Sequence, residues 1–352
     1  MLKGDKQRPW PDVFDRVHSA EQIALPASNS GLNWRDQREQ DDARLRSAGY
    51  DDAFCGFDLY HHHTLFVKGL WQLDLVPKGA KVVLSIWGSD LLRVAGEYEY
   101  GRQLAALKRA DVITVQSLEL RETLLAKFGR ELKPKVHLAT FGTARLPLLA
   151  KRSSDDALRA FRRTFEIPEA EFTVVVGHAA TPFDHHVPIL EALATLPEEW
   201  KRRLALVLPM AYGGNESYAT SVRDALASMG IRGVQLRSML SDDQIVLLRH
   251  ASDVFVYLPE SDALSGSVQE ALFAGNAVIS GSWLPYYSRL RRGGVPIADV
   301  EAFDELPAVL VHVLSSLDEW RVGEAGRKVI RSLCDWSQCV DAWVDAYRMA
   351  LA

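Results

Sequence analysis

Residues 251–282, ASDVFVYLPESDALSGSVQEALFAGNAVISGS, predict a strand, a loop, a helix and a second strand. The apolar run 254–258 is typical of a strand that is covered on both faces of a parallel sheet. The small residues 265–267 begin the helix, and Gly275 ends it because glycine accepts the left-handed conformation of a helix cap. The apolar stretch 277–279 is the second strand.

The start of this helix predicts a site for an anion. Its first backbone N–H groups, at Ser265, Gly266 and Ser267, point outward with the positive end of the helix dipole. Ligands of doubly wound sheets collect at this edge. Glu270, one turn into the helix, offers a carboxylate to ribose hydroxyls, and Asp262 precedes it in the loop. The alternative is that Ser265 caps the helix and that Glu270 is solvated.

Length and composition limit the class of protein. A chain of 352 residues is too long for one ordinary core, so we expect two domains. A net charge of −5 argues against a general nucleic-acid binder. We expect neither a membrane span nor a signal peptide, because no apolar run has the length of a span and residue 1 begins a polar stretch. Three cysteines, Cys55, Cys334 and Cys339, show no zinc spacing and indicate a reducing cytoplasm.

Strand and helix patterns alternate from residue 57 onward. We expect strands at 57–61, 81–87, 111–116, 136–139, 172–177, 204–209, 233–236 and 295–297, helices at 64–73, 97–110, 119–128, 155–165, 187–194, 217–229, 242–250, 300–317 and 336–351, and a linker at 146–154. This alternation predicts two doubly wound α/β domains, each with a parallel sheet, that face each other across a cleft.

The predicted domains are 1–150, which presents the acceptor, and 151–335, which binds the donor; the helix 336–352 packs back on the first domain. The first 55 residues carry little pattern. We expect a short strand at 22–26 and a solvated helix or loop at 33–48. An α/β domain normally opens with an apolar strand, so the first strand here is either unusual or missing.

Two polar clusters follow strands of the first domain. His61, His62 and His63 end one strand, and alternation sends the first and third to one side. The alternatives to a functional role are buried, hydrogen-bonded histidines or an adventitious metal site. Asp90 follows Trp87-Gly88-Ser89, and it acts either as a general base on an acceptor hydroxyl or as a helix cap.

Two further loops follow strands of the second domain. Residues 177–186, GHAATPFDHH, bring His178, His185 and His186 toward the expected phosphates, unless these histidines are merely solvated. Residues 208–215, LPMAYGGN, contain Met210 and Tyr212, and a tyrosine at this place can stack on a base or a sugar. A plain Gly-Gly turn is the competing interpretation.

The opening segment resembles the donor-binding motif of the retaining family 4 glycosyltransferases. In that family an acidic pair eight residues apart spans a glycine-containing loop before a helix that ends in Ala/Cys-Gly. Here the pair is Asp262 and Glu270, and the helix ends in Ala274-Gly275. The family usually has Glu as the first acid, so Asp262 is a departure. More narrowly, His61 and His63, 86–91, 177–186 and 209–218 are similar to the lipid-linked acetamido-dideoxygalactosyl transferases of enterobacterial common antigen synthesis.

The resemblance implies a GT-B fold and transfer of a sugar from a UDP or dTDP sugar to a lipid-linked or other glycan acceptor, without metal or cofactor. It places the acceptor near His61, His63 and Asp90, and the donor on the second domain, where Met210 is one of the matching residues. The family usually has an Arg and a Lys in the loop that here holds His178 and His185, so histidines and backbone must clamp the phosphates.

Three alternatives remain open at this stage. The first is an epimerase or hydrolase that has the same fold and acts on a nucleotide sugar. The second is a catalytically inactive GT-B protein that only scaffolds a glycosylation complex. Basic clusters at 127–135 and 151–163 are solvated faces or, alternatively, hold the protein on anionic lipid at the inner face of the cytoplasmic membrane.

Overall fold

The structure is a computed structural model that describes residues 2–3, 18–19, 56–213, 215–284 and 287–352. The strand expected at 22–26 and the segment 33–48 lie outside the described residues and stay predictions. The chain divides into two units. The smaller unit contains the described residues up to Thr114, together with Glu131–Val136 and Ala346–Ala352. The larger unit contains Val115–Arg130 and His137–Asp345. The predicted boundary near residue 150 stays a prediction.

The first sheet has four strands in the order β3-β4-β5-β6. These strands are Leu59–His62 (β3), Lys81–Ser85 (β4), Val112–Val115 (β5) and Val136–Leu138 (β6). Strands β3, β4 and β5 are parallel. Val83 and Val112 pack against Ala346 and Ala350 of the last helix, Trp336–Leu351. A separate parallel pair joins Leu2–Lys3 (β1) to His18–Ser19 (β2).

The second sheet has six parallel strands in the order β12-β11-β10-β7-β8-β9. They are Phe172–Val176 (β7), Leu204–Pro209 (β8), Arg232–Leu236 (β9), Val254–Tyr257 (β10), Ala277–Gly281 (β11) and Ala298–Val300 (β12). The chain proceeds outward from β7 in one direction and from β10 in the other. The topological switch point, where ligands of such sheets bind, therefore lies between β7 and β10.

Both faces of the second sheet are covered. Val174 and Val256 point into one apolar cluster, and Val175 and Phe255 point into another. This explains why β7 and β10 are continuous apolar runs. The helices of the larger unit that cover the sheet are Asp155–Thr164, His186–Leu193, Glu198–Arg203, Glu216–Ser228, Asp242–His250, Gly266–Ala274, Ser288–Arg292, Leu306–Ser315 and Glu324–Cys334.

The helix predicted to begin at 265–267 and to end at Gly275 is confirmed as Gly266–Ala274, between β10 and β11. Gly275 has a φ of 97° and its N–H donates to the Leu272 carbonyl, while the Asn276 N–H donates to the Ala271 carbonyl at 3.0 Å. This pair of bonds is a Schellman motif. The side-chain Nδ2 of Asn276 donates to the Arg249 carbonyl at 2.8 Å, which fixes the end of the helix.

Several expectations were wrong in their bounds or were incomplete. The predicted linker 146–154 contains the helix Leu146–Leu149, because Leu146 and Leu149 are buried in a core. The last strand of the second sheet is Ala298–Val300 rather than 295–297. The short helices Glu198–Arg203 and Ser288–Arg292, and the longer Glu324–Cys334, were not predicted. Within the described part of the chain, no helix has the length and apolarity to cross a bilayer.

The left-handed cap at Gly275 predicts a specific stability change. A Cβ at this position would make only an ordinary contact, 3.7 Å from Arg327 Nη2, so backbone strain alone penalises Gly275→Ala. We expect a loss of about 1–2 kcal/mol in the free energy of unfolding, measured by urea denaturation. Gly266→Ala is the control, because a Cβ there meets nothing within 4 Å. Equal stability of the two variants would contradict the capping role.

Candidate functional site

The candidate site lies at the carboxyl ends of β7, β8 and β10, beside the switch point of the second sheet. Three loops leave the sheet at this edge: 177–185 after β7, 210–215 after β8 and 258–265 after β10. They contact one another directly. The Ala180 N–H donates to the Tyr212 carbonyl at 2.7 Å, and the Glu260 N–H donates to the Phe183 carbonyl at 2.8 Å.

The start of helix Gly266–Ala274 has the character of an anion site. Ser265 occupies the cap position, but its side chain makes no capping hydrogen bond with the described residues. Ser117, Ser154 and Ser241 all cap their own helices with the side chain. The alternative in which Ser265 caps this helix is therefore not observed, and the first N–H groups stay available to a ligand. Gly266 is exposed and Ser267 is half-buried beside it.

Glu270 is buried with only 3% of its side chain exposed, and it is paired rather than solvated. Its Oε1 accepts hydrogen bonds from Thr143 Oγ1 at 2.7 Å and from Arg145 Nη1 at 2.8 Å. Arg145 Nε also donates to Asp242 Oδ1 at 2.8 Å, so the guanidinium bridges two carboxylates. No hydrogen bond from the described residues reaches Oε2, which is the oxygen that can accept from a ribose hydroxyl.

A second guanidinium lies behind this pair. Arg249 is buried over the Phe255 ring, with 4.7 Å between the guanidinium carbon and the ring centroid. Burial lowers the pKa of Arg249, and the negative charge of Glu270 opposes that shift. Glu270 therefore interacts with a second guanidinium besides that of Arg145, which helps to offset the cost of burying its carboxylate.

His178 and Asp184 form a pair in the loop after β7. His178 Nδ1 lies 3.1 Å from Asp184 Oδ1, and Thr181 Oγ1 donates to Asp184 Oδ2 at 2.7 Å. Burial alone would raise the pKa of Asp184, but His178 and Thr181 outweigh it and the pKa is lowered. The carboxylate thereby orients the imidazole, as carboxylates do for functional histidines.

The aromatic rings of neighbouring loops surround His178. Its ring centroid is 5.7 Å from that of Tyr212 and 5.4 Å from that of Tyr257. Tyr257 in turn donates its hydroxyl to Asp262 Oδ2 at 3.1 Å. The structure thus brings together His178, Tyr212 and Asp262, which the sequence places in three separate loops.

Met210 and His185 both have contacts within the protein. Met210 is buried in the apolar core on one face of the sheet. His185 has a left-handed backbone, with φ of 54°, and its Nδ1 is 2.8 Å from the Leu258 carbonyl. His185 therefore fastens the loop after β7 to the end of β10. The donor contacts predicted for both residues stay predictions, and these positions do not favour them.

His61 and His63 form a close pair of tilted rings, and His62 between them in the sequence is buried. The rings of His61 and His63 have centroids 3.7 Å apart, as strand alternation predicts, whereas His62 is buried. His61 Nδ1 lies 2.9 Å from the Tyr347 hydroxyl, and its Nε2 lies 2.6 Å from Ser85 Oγ. Burial, followed by the neighbouring imidazoles, lowers the pKa of His61 to about 3. Both nitrogens of His61 therefore already have polar partners.

Asp90 is fully buried and accepts three backbone hydrogen bonds. Oδ1 accepts from Trp87 and Gly88 at 3.0 and 2.9 Å, and Oδ2 accepts from Leu65 at 2.7 Å. Burial raises the pKa of Asp90 despite these bonds. The carboxylate joins the loops after β3 and β4. Its role as a general base stays a prediction, and the contacts favour the structural alternative.

Four residues of the site were not predicted: Thr143, Arg145, Asp184 and Tyr257. Thr143 and Arg145 reach Glu270 across more than a hundred residues of sequence, so no local pattern indicates them. Asp184 lies inside the predicted loop, and an acid six residues after His178 is a signal that was available. Tyr257 ends the buried strand β10, and a hydroxyl there has to find a partner.

No protein-family model and no curated protein matches the chain. Solved structures do match. Anabaena HepE in complex with UDP-glucose has a TM-score of 0.67 and 15% identity, over 86% of this chain and 80% of that one. Sucrose-phosphate synthase from Thermosynechococcus elongatus has a TM-score of 0.72 and 17% identity, over 99% and 88%. A glycosyltransferase from Rickettsia africae has a TM-score of 0.67 and 15% identity, over 95% and 85%.

These similarities define the class of fold. The chain has the GT-B fold, with two parallel-sheet α/β domains, and this confirms the fold class expected from the sequence. At such identities the neighbours show the fold, and the function has to be argued from the residues of the site.

The buried His186 predicts a pH dependence of stability. Burial lowers its pKa to about 4, although Asp184 opposes the shift. The unfolded chain binds a proton at this residue below pH of about 6.5, whereas the folded chain does not until about 4. Unfolding free energy should therefore fall by up to about 1.4 kcal/mol per pH unit as pH drops through that window.

Denaturant unfolding of His186→Gln between pH 7 and pH 4.5 tests this expectation. The variant should lose stability less steeply than the wild-type protein. His312→Gln, which removes an exposed imidazole, should retain the wild-type slope. Identical slopes for His186→Gln and the wild type would show that folding does not lower the pKa of His186.

Proposed function

We propose that the protein is a glycosyltransferase that uses a nucleoside-diphosphate sugar. The observation that carries this proposal is the uncapped helix start at Ser265–Ser267 with the buried Glu270 one turn behind it. The first feature suits a diphosphate and the second a ribose. Both lie at the switch point of the second sheet, where doubly wound folds bind nucleotides.

The donor site in this proposal uses histidine where the family usually has Arg and Lys. His178 Nδ1 lies beside Asp184 Oδ1, and in its imidazolium form the ring also has an Nε2–H that can donate to a phosphate oxygen. The backbone N–H groups of the helix start supply the remaining donors. Stabilising the charge that develops on the departing diphosphate is the main catalytic contribution, because donors fixed before the reaction need no reorganisation.

The structural neighbours support the choice of substrate class. HepE has been solved with UDP-glucose, with UDP and with UDP and glucose. For this chain we propose a UDP or dTDP sugar as donor and a lipid-linked or other glycan as acceptor. Roles for His61, His63 and Asp90 beside that acceptor, and contact with the inner face of a membrane, are proposals that rest on the resemblance.

Glu270→Gln is the direct test of the donor site. The substitution keeps the shape of the side chain but removes the charge that pairs with Arg145, and it weakens the acceptor for a ribose hydroxyl. We expect UDP affinity, measured by titration calorimetry, to fall about tenfold or more, the scale of one charge-assisted hydrogen bond. Glu260→Gln is the matched control, because Glu260 is an exposed carboxylate in the loop that precedes the helix of Glu270.

Binding and turnover measurements together separate the alternatives. Unchanged affinity in Glu270→Gln would contradict the placement of the nucleotide. Absence of UDP and dTDP binding to the wild-type protein would favour an inactive scaffold. A separate assay incubates the protein with a nucleotide sugar alone and detects products by chromatography. Conversion in the absence of any acceptor would identify an epimerase or a hydrolase instead of a transferase.

A further inference from the structure

A pocket of about 390 Å³ lies beside the donor loop, and none of the roles described above uses it. All of its lining residues belong to the larger unit. Leu264 forms part of its wall and directly precedes Ser265 at the helix start. The volume is within the range of small-molecule sites. The pocket is therefore contiguous with the proposed donor site but distinct from it.

The charge of this pocket is positive. Arg289 and Arg292 line it from the short helix Ser288–Arg292, and neither forms an ion pair with a carboxylate of the described residues. Arg291 of the same helix is paired with Asp299 at 2.5 Å. Arg159, Arg203, Arg237, Arg321 and Arg331 of the larger unit also contact carboxylates.

Glu119 is the carboxylate in the lining, and it already accepts a hydrogen bond. Glu119 lies in the first turn of the helix Leu118–Phe128 and accepts this bond from Ser288 Oγ, which ties this helix to the one that carries the two arginines. Two guanidinium groups thus face one carboxylate, and the excess charge is positive. The charge of Arg289 also acts on Cys339, another lining residue, since it opposes the burial that raises the pKa of Cys339.

The rest of the lining is largely apolar. Leu138 and Leu264 contribute alkyl surface next to the two guanidinium groups. Such a combination suits a ligand with an anionic group at one end and a less polar body. Guanidinium groups bind phosphate bidentately, which favours a phosphate over a single point charge.

We propose that this pocket binds the second substrate and that Arg289 and Arg292 recognise a phosphate group on it. The proposal rests on the proposed function, because it assigns the partner of the donor site. A free sugar phosphate and a lipid-linked diphosphate share this chemistry. The phosphate of the acceptor then lies beside Leu264 in the larger unit.

Calorimetry with two probes tests the pocket: glucose 6-phosphate for a free sugar phosphate, and farnesyl diphosphate for a lipid-linked one. Each is titrated into the full chain saturated with UDP, with glucose as the uncharged control. We expect at least one phosphate probe to bind, and its affinity to fall about tenfold or more in Arg289→Gln/Arg292→Gln. Arg223→Gln, which removes an exposed arginine of another helix, should bind as the wild type does.

The outcomes distinguish this proposal from the proposed function. UDP affinity should be the same in the double variant and the wild type. Equal probe affinity in the double variant, loss of probe binding on addition of UDP, or binding of neither probe would overturn the pocket assignment. If UDP fails to bind the wild type, the donor site is refuted, while probe binding that depends on the two arginines still supports a phosphate pocket.

Discussion

Burial of the Glu270 carboxylate is the constraint on which the site depends. A charged group with 3% of its side chain exposed requires a partner, and Arg145 supplies one at 2.8 Å. Arg145 in turn is held by Asp242 at the start of another helix, and Thr143 adds a second donor to Glu270. Three segments of the chain are thus fixed by one carboxylate. A buried pair of this kind adds specificity of position more than stability.

The order of the second sheet determines what lies near that carboxylate. Because β7 and β10 are neighbours, the loops that follow them leave the sheet side by side. The loop after β7 turns at Gly177, whose φ is 65° and where a Cβ would be 2.4 Å from His186 Nε2. Only glycine fits there, and the turn brings His178 toward Tyr212 and Tyr257. Sheet topology and one glycine together build the polar edge.

Local patterns were sufficient for most of the strands and helices, and they indicated where to look for a candidate site. The apolar run of β10, the small residues 265–267 and the Gly275 cap specify a strand, a helix start and a helix end through interactions within a few residues. Contacts between distant segments were not accessible in this way. Nothing in the sequence around Arg145 indicates Glu270, and Met210 could not be assigned to the core without knowing which face of the sheet it enters. Asp90 shows the same limit, since its three N–H donors come partly from a loop 25 residues earlier.

The central claim is that a nucleoside diphosphate binds at the start of helix Gly266–Ala274 with its ribose on Glu270. A crystal structure of the protein with UDP tests this most directly. The account predicts diphosphate oxygens at about 3 Å from the backbone nitrogens of Gly266 and Ser267, and a ribose hydroxyl on Glu270 Oε2. UDP bound elsewhere, with Glu270 contacting only Thr143 and Arg145, would contradict it.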